Sequence, residues 1–178
     1  MNLIGIDKLK SHIDYAGNWE GKQQGLIFVF GDAFFSRLIQ LKTRLDDDEI
    51  VPNHVAMYYD GYLYESTSSP REVGNKTIPA GVRRWKLSEY FNSELEDNNE
   101  YYVVPCELDQ EVLEEHIHRP YGKDIILDFL LTNDSDGDSD GLICSQYANM
   151  ASKIIRTDPA PTPAELFRAC RFKIGDHS

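Results

Sequence analysis

Cys144 lies where a loop meets a helix, a place where a thiol can do chemistry. A polar tract, residues 133–141, precedes it, and Ala148, Ala151 and Ile155 follow on its own face at helical spacing. The spacing predicts a helix over residues 144–156 with the thiol in its first turn. Unpaired backbone N–H groups and the positive end of the helix dipole favour thiolate there, well below the free-thiol pKa of about 8.5. A thiolate in such a place is a nucleophile for acyl transfer. The competing reading is a buried core cysteine, which is what most lone cysteines are.

His54 is the candidate for the base that such a nucleophile needs. It opens the run His54-Val-Ala-Met-Tyr-Tyr59, and Asp60-Gly61 separates this run from Tyr62-Leu-Tyr-Glu-Ser-Thr67. Asp-Gly between two β-rich runs predicts a hairpin with a two-residue turn. Tyr59 then lies opposite Tyr62, Ala56 opposite Glu65, and His54 opposite Thr67. Side chains alternate along a strand, so His54, Ala56, Leu63, Glu65 and Thr67 share one face and Ser66 points to the other. Glu65 becomes the diagonal neighbour of His54, within reach of its long side chain. A carboxylate there fixes the imidazole tautomer and stabilises the imidazolium formed when the ring takes a thiol proton. A turn of odd length would put Glu65 on the wrong face, and a half-exposed His–Glu pair without a thiol is the alternative.

These residues need a frame, and the rest of the chain supplies its parts. Leu26-Ile-Phe-Val-Phe30, bounded by Gly25 and Gly31, predicts a buried strand. Residues 1–24 read as a helix or an irregular lead-in, and 34–44 as a helix. The Ser-, Pro- and Gly-rich stretch 68–80 reads as a loop, 82–85 as a short strand, and 86–91 as a helical turn. Tyr and Val enrichment predicts a strand over 101–108. A helix over 109–118 is capped by Asp109 and stopped by Pro120. Residues 123–131 read as a short amphipathic helix. A turn rich in Pro (Pro159, Pro161, Pro163) leads to a last segment bearing Phe167, Phe172 and Ile174. A few antiparallel strands with helices at both ends make the expected class α+β.

The composition narrows the functional classes. A chain of 178 residues with 41% apolar and 11% aromatic residues suits one globular domain, expected to span 1–178. A net charge of −12 speaks against nucleic-acid or anionic-membrane binding, and the neighbours Arg83, Arg84 and Lys86 do not form a basic stripe. No stretch approaches the roughly 20 apolar residues of a membrane span. The start, MNLIGIDKLKSHIDYAG, lacks a basic segment followed by an apolar run. Synthesis in the cytoplasm without a signal peptide is therefore expected, with delivery elsewhere left open. Three cysteines (Cys106, Cys144, Cys170), odd in number and without metal spacing, favour free thiols.

Taken in order, several short motifs resemble one family. They are Pro52-Asn-His54-Val-Ala-Met-Tyr-Tyr, Tyr64-Glu65-Ser66, Gly81-Val82 with Leu87-Ser-Glu-Tyr90, Tyr121-Gly122, and Cys144-Ser145-Gln146-Tyr147. With Phe35-Ser36-Arg37-Leu38-Ile39 and Thr162-Pro163-Ala164-Glu165-Leu166, they resemble the NlpC-like papain-fold cysteine hydrolases over roughly residues 25–170. The likeness is to the circularly permuted branch, the YiiX-type and lecithin:retinol acyltransferase-like proteins, in which the histidine strand precedes the cysteine helix. The resemblance implies a papain-like fold with a small antiparallel sheet packed on helices. It implies Cys144 as nucleophile, His54 as general base and Glu65 as the orienting residue, and it sets Tyr121 at the border of the site, where core packing is its other reading. It further implies acyl transfer without a cofactor.

The expected substrate is a peptide or amide, with cell-wall peptidoglycan first. A lipid or thioester acyl hydrolase or acyltransferase is the alternative, and the oligomeric state is open. A non-catalytic interaction module, with Ca²⁺ on the Asp-rich tract, is the second alternative. Asp136, Asp138, Asp140 and Gly141 match the opening positions of an EF-hand loop, with Asp134 nearby. Tyr147, however, stands where the bidentate Glu belongs. A solvated insertion is the preferred reading of that tract, and no metal is expected at the candidate site. His12, His116, His118 and His177 make no zinc spacing with the cysteines.

Overall fold

The apolar run around Leu26 is buried on both faces because it becomes the second strand from one edge of a sheet covered on both sides. The computed structural model describes residues 3–15, 23–31, 51–73, 76–92, 99–123, 141–155 and 161–174. Within these, the strands are β1 Gln24–Phe30, β2 His54–Tyr59, β3 Tyr62–Thr67, β4 Arg71–Val73, β5 Lys76–Ile78, β6 Gly81–Lys86 and β7 Glu100–Pro105. The helices are α1 Ile6–Tyr15, α2 Leu87–Asn92, α3 Gln110–Glu115, α4 Cys144–Ser152 and α5 Pro163–Ile174. Five strands form one antiparallel sheet in the order β6-β3-β2-β1-β7, and β4 pairs with β5 as a separate ribbon. The class is α+β.

Alternation along the strands divides the core in two. Leu26, Phe28, Val55, Met57, Tyr64 and Val104 face α4 and α5, meeting Tyr147, Ala148, Leu166 and Phe167. Ile27, Ala56, Tyr58, Leu63, Trp85 and Tyr101 face the other way and are covered by Ile6 and Leu9 of α1. Phe167 anchors the first layer, with ring centres 5.1 Å from Phe28 and 5.4 Å from Phe30 in edge-on contact.

The hairpin β2–β3 has the register that the Asp60-Gly61 turn predicts, with Tyr59 opposite Tyr62 and Met57 opposite Tyr64. Both turn residues take positive φ, 47° at Asp60 and 82° at Gly61, as the favoured two-residue turn demands. Asp109 caps α3 through its side chain, which accepts from the N–H groups of Glu111 and Val112. Thr162 and Glu165 cap α5 reciprocally: Thr162 N donates to Glu165 Oε2 at 2.7 Å, and Glu165 N donates to Thr162 Oγ1 at 3.2 Å.

Several expectations need correction. Residues 68–80 are not a plain loop, since they contain β4 and β5. Strands of three residues show no period, and Gly74-Asn75 between the strands was the one hairpin signal available. The helix expected over 144–156 ends at Ser152, with Lys153 left-handed at φ 52°. The Asn149 side chain terminates it, accepting from Ile155 N at 2.8 Å and donating to Ile155 O at 3.0 Å. Ile155 therefore leaves the helix but still packs against the core. The last strand ends at Pro105, short of Leu108, whose N–H instead donates to Gln24 Oε1 at 2.9 Å. The helix expected over 109–118 stops at Glu115, and His118 has φ 77°. The helix expected over 34–44, all but the first residue of 123–131, and tract residues 133–140 lie outside the described residues. Among the described residues, no helix is long and apolar enough to cross a membrane.

Candidate active site

The lead-in to α4 is held against one end of the central hairpin by hydrogen bonds on both sides. Ser66 Oγ, fully buried on β3, donates to Leu142 O at 2.5 Å. Residues 119–122 run past the lead-in to α4: Leu142 N donates to Pro120 O at 3.0 Å, and Gly122 N to Leu142 O at 3.3 Å. This makes a parallel bridge between Tyr121 and Leu142. The same stretch is fastened to β6, where Val82 N donates to Arg119 O at 2.8 Å and His118 N to Val82 O at 2.9 Å. Two close approaches need glycine. A Cβ on Gly81, at φ 126°, would lie 2.4 Å from Arg119 O, and one on Gly141 would lie 2.7 Å from Gly122 Cα.

Ile143 caps α4 without a side-chain bond, so the first residues of the helix keep N–H groups free of capping side chains. Cys144 is 5% exposed. Its thiol lies within hydrogen-bonding reach of the His54 ring and of the backbone N–H groups of Val55 and Ser145. His54 stands at the first position of β2, where its side chain remains 23% exposed at the strand end. Its Nε2 is 3.2 Å from Glu65 Oε2. Glu65 itself is buried and holds two further partners through its other oxygen: Arg83 Nε donates at 2.9 Å and Trp85 Nε1 at 3.2 Å.

The charges respond to one another. Burial by itself would raise the Cys144 thiol, but the nearby imidazolium and the two backbone donors outweigh it and hold the pKa below the usual thiol value. Burial would likewise lower His54. The Cys144 thiolate and the Glu65 carboxylate prevail, pushing the ring up to about 10. Glu65, which burial would raise, is brought down to about 2 by its bond to His54 and by the charge of Arg83. All three effects favour a thiolate–imidazolium pair backed by a carboxylate. The other cysteines differ, since burial pushes Cys106 up to about 11 and Cys170 up to about 12.

The four residues singled out from sequence therefore come together. Cys144, His54 and Glu65 form a connected chain, and Tyr121 is bridged to Leu142, two residues before the thiol, with its hydroxyl kept protonated by burial and by the thiolate charge. Sequence reasoning missed Arg83, Trp85 and the backbone of Val55. The strand expected over 82–85 put Arg83 and Trp85 on one face, but nothing in the sequence told which strand that face would meet. Among the described residues, no group of three or more His, Cys, Asp and Glu side chains is arranged to hold a metal ion. Compared with protein-family models, curated proteins and solved structures, the chain matches none.

Proposed function

We propose that this chain is a papain-like cysteine hydrolase of the circularly permuted NlpC type, acting by acyl transfer on peptide or related amide bonds, with cell-wall peptide as the first substrate class to test. The observation that carries the reading is the connected series Cys144–His54–Glu65, with the thiol at a helix start and the histidine on a strand earlier in the chain. With Nε2 on Glu65, Nδ1 is the ring nitrogen left for the thiol. The Cys144 thiolate attacks the carbonyl carbon, forming the C–S bond. Backbone N–H groups at the start of α4 stabilise the developing oxyanion. His54 gives its proton to the leaving amine as the C–N bond breaks. Water then attacks the acyl-enzyme, losing a proton to His54, and the C–S bond breaks to release the acid and restore the ion pair.

Alkylation by iodoacetamide, read by mass spectrometry at each cysteine, tests the pair without a guessed substrate. Cys144 labelling is expected to extend below pH ~7, and His54→Ala is expected to lose that reactivity by at least about tenfold. Slow labelling with an ordinary thiol profile, unchanged in His54→Ala, would sink the reading. A second assay compares purified peptidoglycan with phospholipid vesicles. Peptide release is expected from the first, and fatty-acid release from the second would move the substrate to lipid acyl groups.

A further inference from the structure

Glu65 meets His54 with one carboxylate oxygen while β6 occupies the other. Arg83 Nε and Trp85 Nε1 both donate to Oε1, at 2.9 Å and 3.2 Å, and Oε2 is left to His54 at 3.2 Å. The register of β3 against β6 causes this, setting Arg83 opposite Glu65 and Trp85 opposite Leu63. Arg83 is itself fixed, since Nη1 donates to Ser69 O at 3.3 Å and its guanidinium carbon lies 5.1 Å from the Trp85 ring centre. Arg83 and Trp85 are 9% and 3% exposed, so water does little of this holding. A carboxylate buried as deeply as Glu65 stays ionised only with a cation or several donors beside it.

We propose that Arg83 and Trp85 are positioning residues for the Cys144–His54 pair, clamping Oε1 of Glu65 so that Oε2 is held, charged and fixed in direction, against the imidazole. The inference rests on the reading of Cys144 as a nucleophile, and both residues act through Glu65. Among the described residues, the groups facing the His54–Glu65 pair are Cys144 from α4, Arg83 from β6 and Tyr90 from α2, with Arg71 beside Tyr90, while Tyr121 of the 119–122 segment bears on Cys144. Burial pushes both tyrosines above their ordinary range. Titration on the acid side therefore belongs to Glu65 and Cys144, while His54 keeps its charge there.

The test follows the acid limb of Cys144 alkylation in the full chain and in Arg83→Gln, Arg83→Lys and Trp85→Phe, with circular dichroism checking each fold. The limb's position is read, not its height, because the thiol is recessed. In Arg83→Gln the buried carboxylate takes up a proton at higher pH, His54 loses its counter-charge, and the limb moves up by about one pH unit or more. Arg83→Lys restores the charge and returns the limb toward the parent position. Trp85→Phe moves it the same way by less. An unmoved limb in folded Arg83→Gln overturns the proposal and leaves the hydrolase reading standing, as does a movement equally large in Arg83→Lys. If Arg83→Gln does not fold, an unmoved limb in Trp85→Phe overturns it instead. Slow, ordinary-thiol labelling of Cys144 in the parent overturns both.

Discussion

His54 has a neighbour of opposite charge on two sides, the thiolate of Cys144 and the carboxylate of Glu65, and this keeps a part-exposed imidazole charged where an isolated ring would lose its proton. Glu65→Gln tests that balance. The carboxamide keeps the shape but removes the anion, so the ring pKa falls and the thiol loses part of its imidazolium partner. The acid limb of Cys144 alkylation is then expected to move upward, with the rate at any pH below the limb falling about tenfold for every pH unit that the limb moves. An unmoved limb would mean that Glu65 orients the ring without charge coupling. At this scale the sequence was informative only where a local rule applied. The Asp60-Gly61 turn fixed Glu65 as the diagonal partner of His54, whereas no local rule connects Glu65 to Arg83.

At the scale of elements, the lead-in to α4 decides where the thiol sits. Leu142 is bonded both to Ser66 on β3 and to the segment after His118, and Gly122 leaves no room for a Cβ on Gly141. Gly141→Ala puts a methyl group 2.7 Å from Gly122 backbone atoms, which cannot retreat as a side chain would. We expect a loss of about 1–3 kcal/mol in urea unfolding, together with slower Cys144 alkylation from the displaced helix start. Parent-like values in both would show that the strands of this corner part easily. Elements with a strong local signature were legible here, as with the Asp109 cap. The end of α4 was not, because the Asn149 side chain stops it by bonding to Ile155, and an asparagine inside a periodic run gives no notice of that. The β4–β5 ribbon escaped because each of its strands is too short to alternate.

For the whole molecule, the buried charges couple folding to pH. Glu65 titrates at about 2 in the folded chain against an ordinary value of 4.5. The unfolded chain therefore binds its proton first as pH drops, so this contribution is complete above pH ~5 and is lost as pH falls toward 2. Its full size is on the order of 3 kcal/mol. Denaturant melts across that window should show the parent losing stability more steeply than Glu65→Gln. Equal slopes would mean that other carboxylates govern acid unfolding. The sheet that holds these charges is covered on both faces, by α4 and α5 on one side and α1 on the other, which keeps the dielectric low around Glu65.

The sequence by itself determined what depends on neighbours a few residues apart: the β2–β3 register, the buried run of β1, the cap at Asp109, and the helix that begins at Cys144. These follow from turn chemistry, alternation and helical spacing, all of which act over short stretches. The tertiary structure decided what depends on which elements meet. The strand order β6-β3-β2-β1-β7 brought Arg83 and Trp85 onto Glu65, and the contacts of Leu142 brought the Cys144 helix to the end of the His54 strand. Those pairings join residues far apart in the chain, and they are fixed by burial of two separate core layers rather than by any local preference.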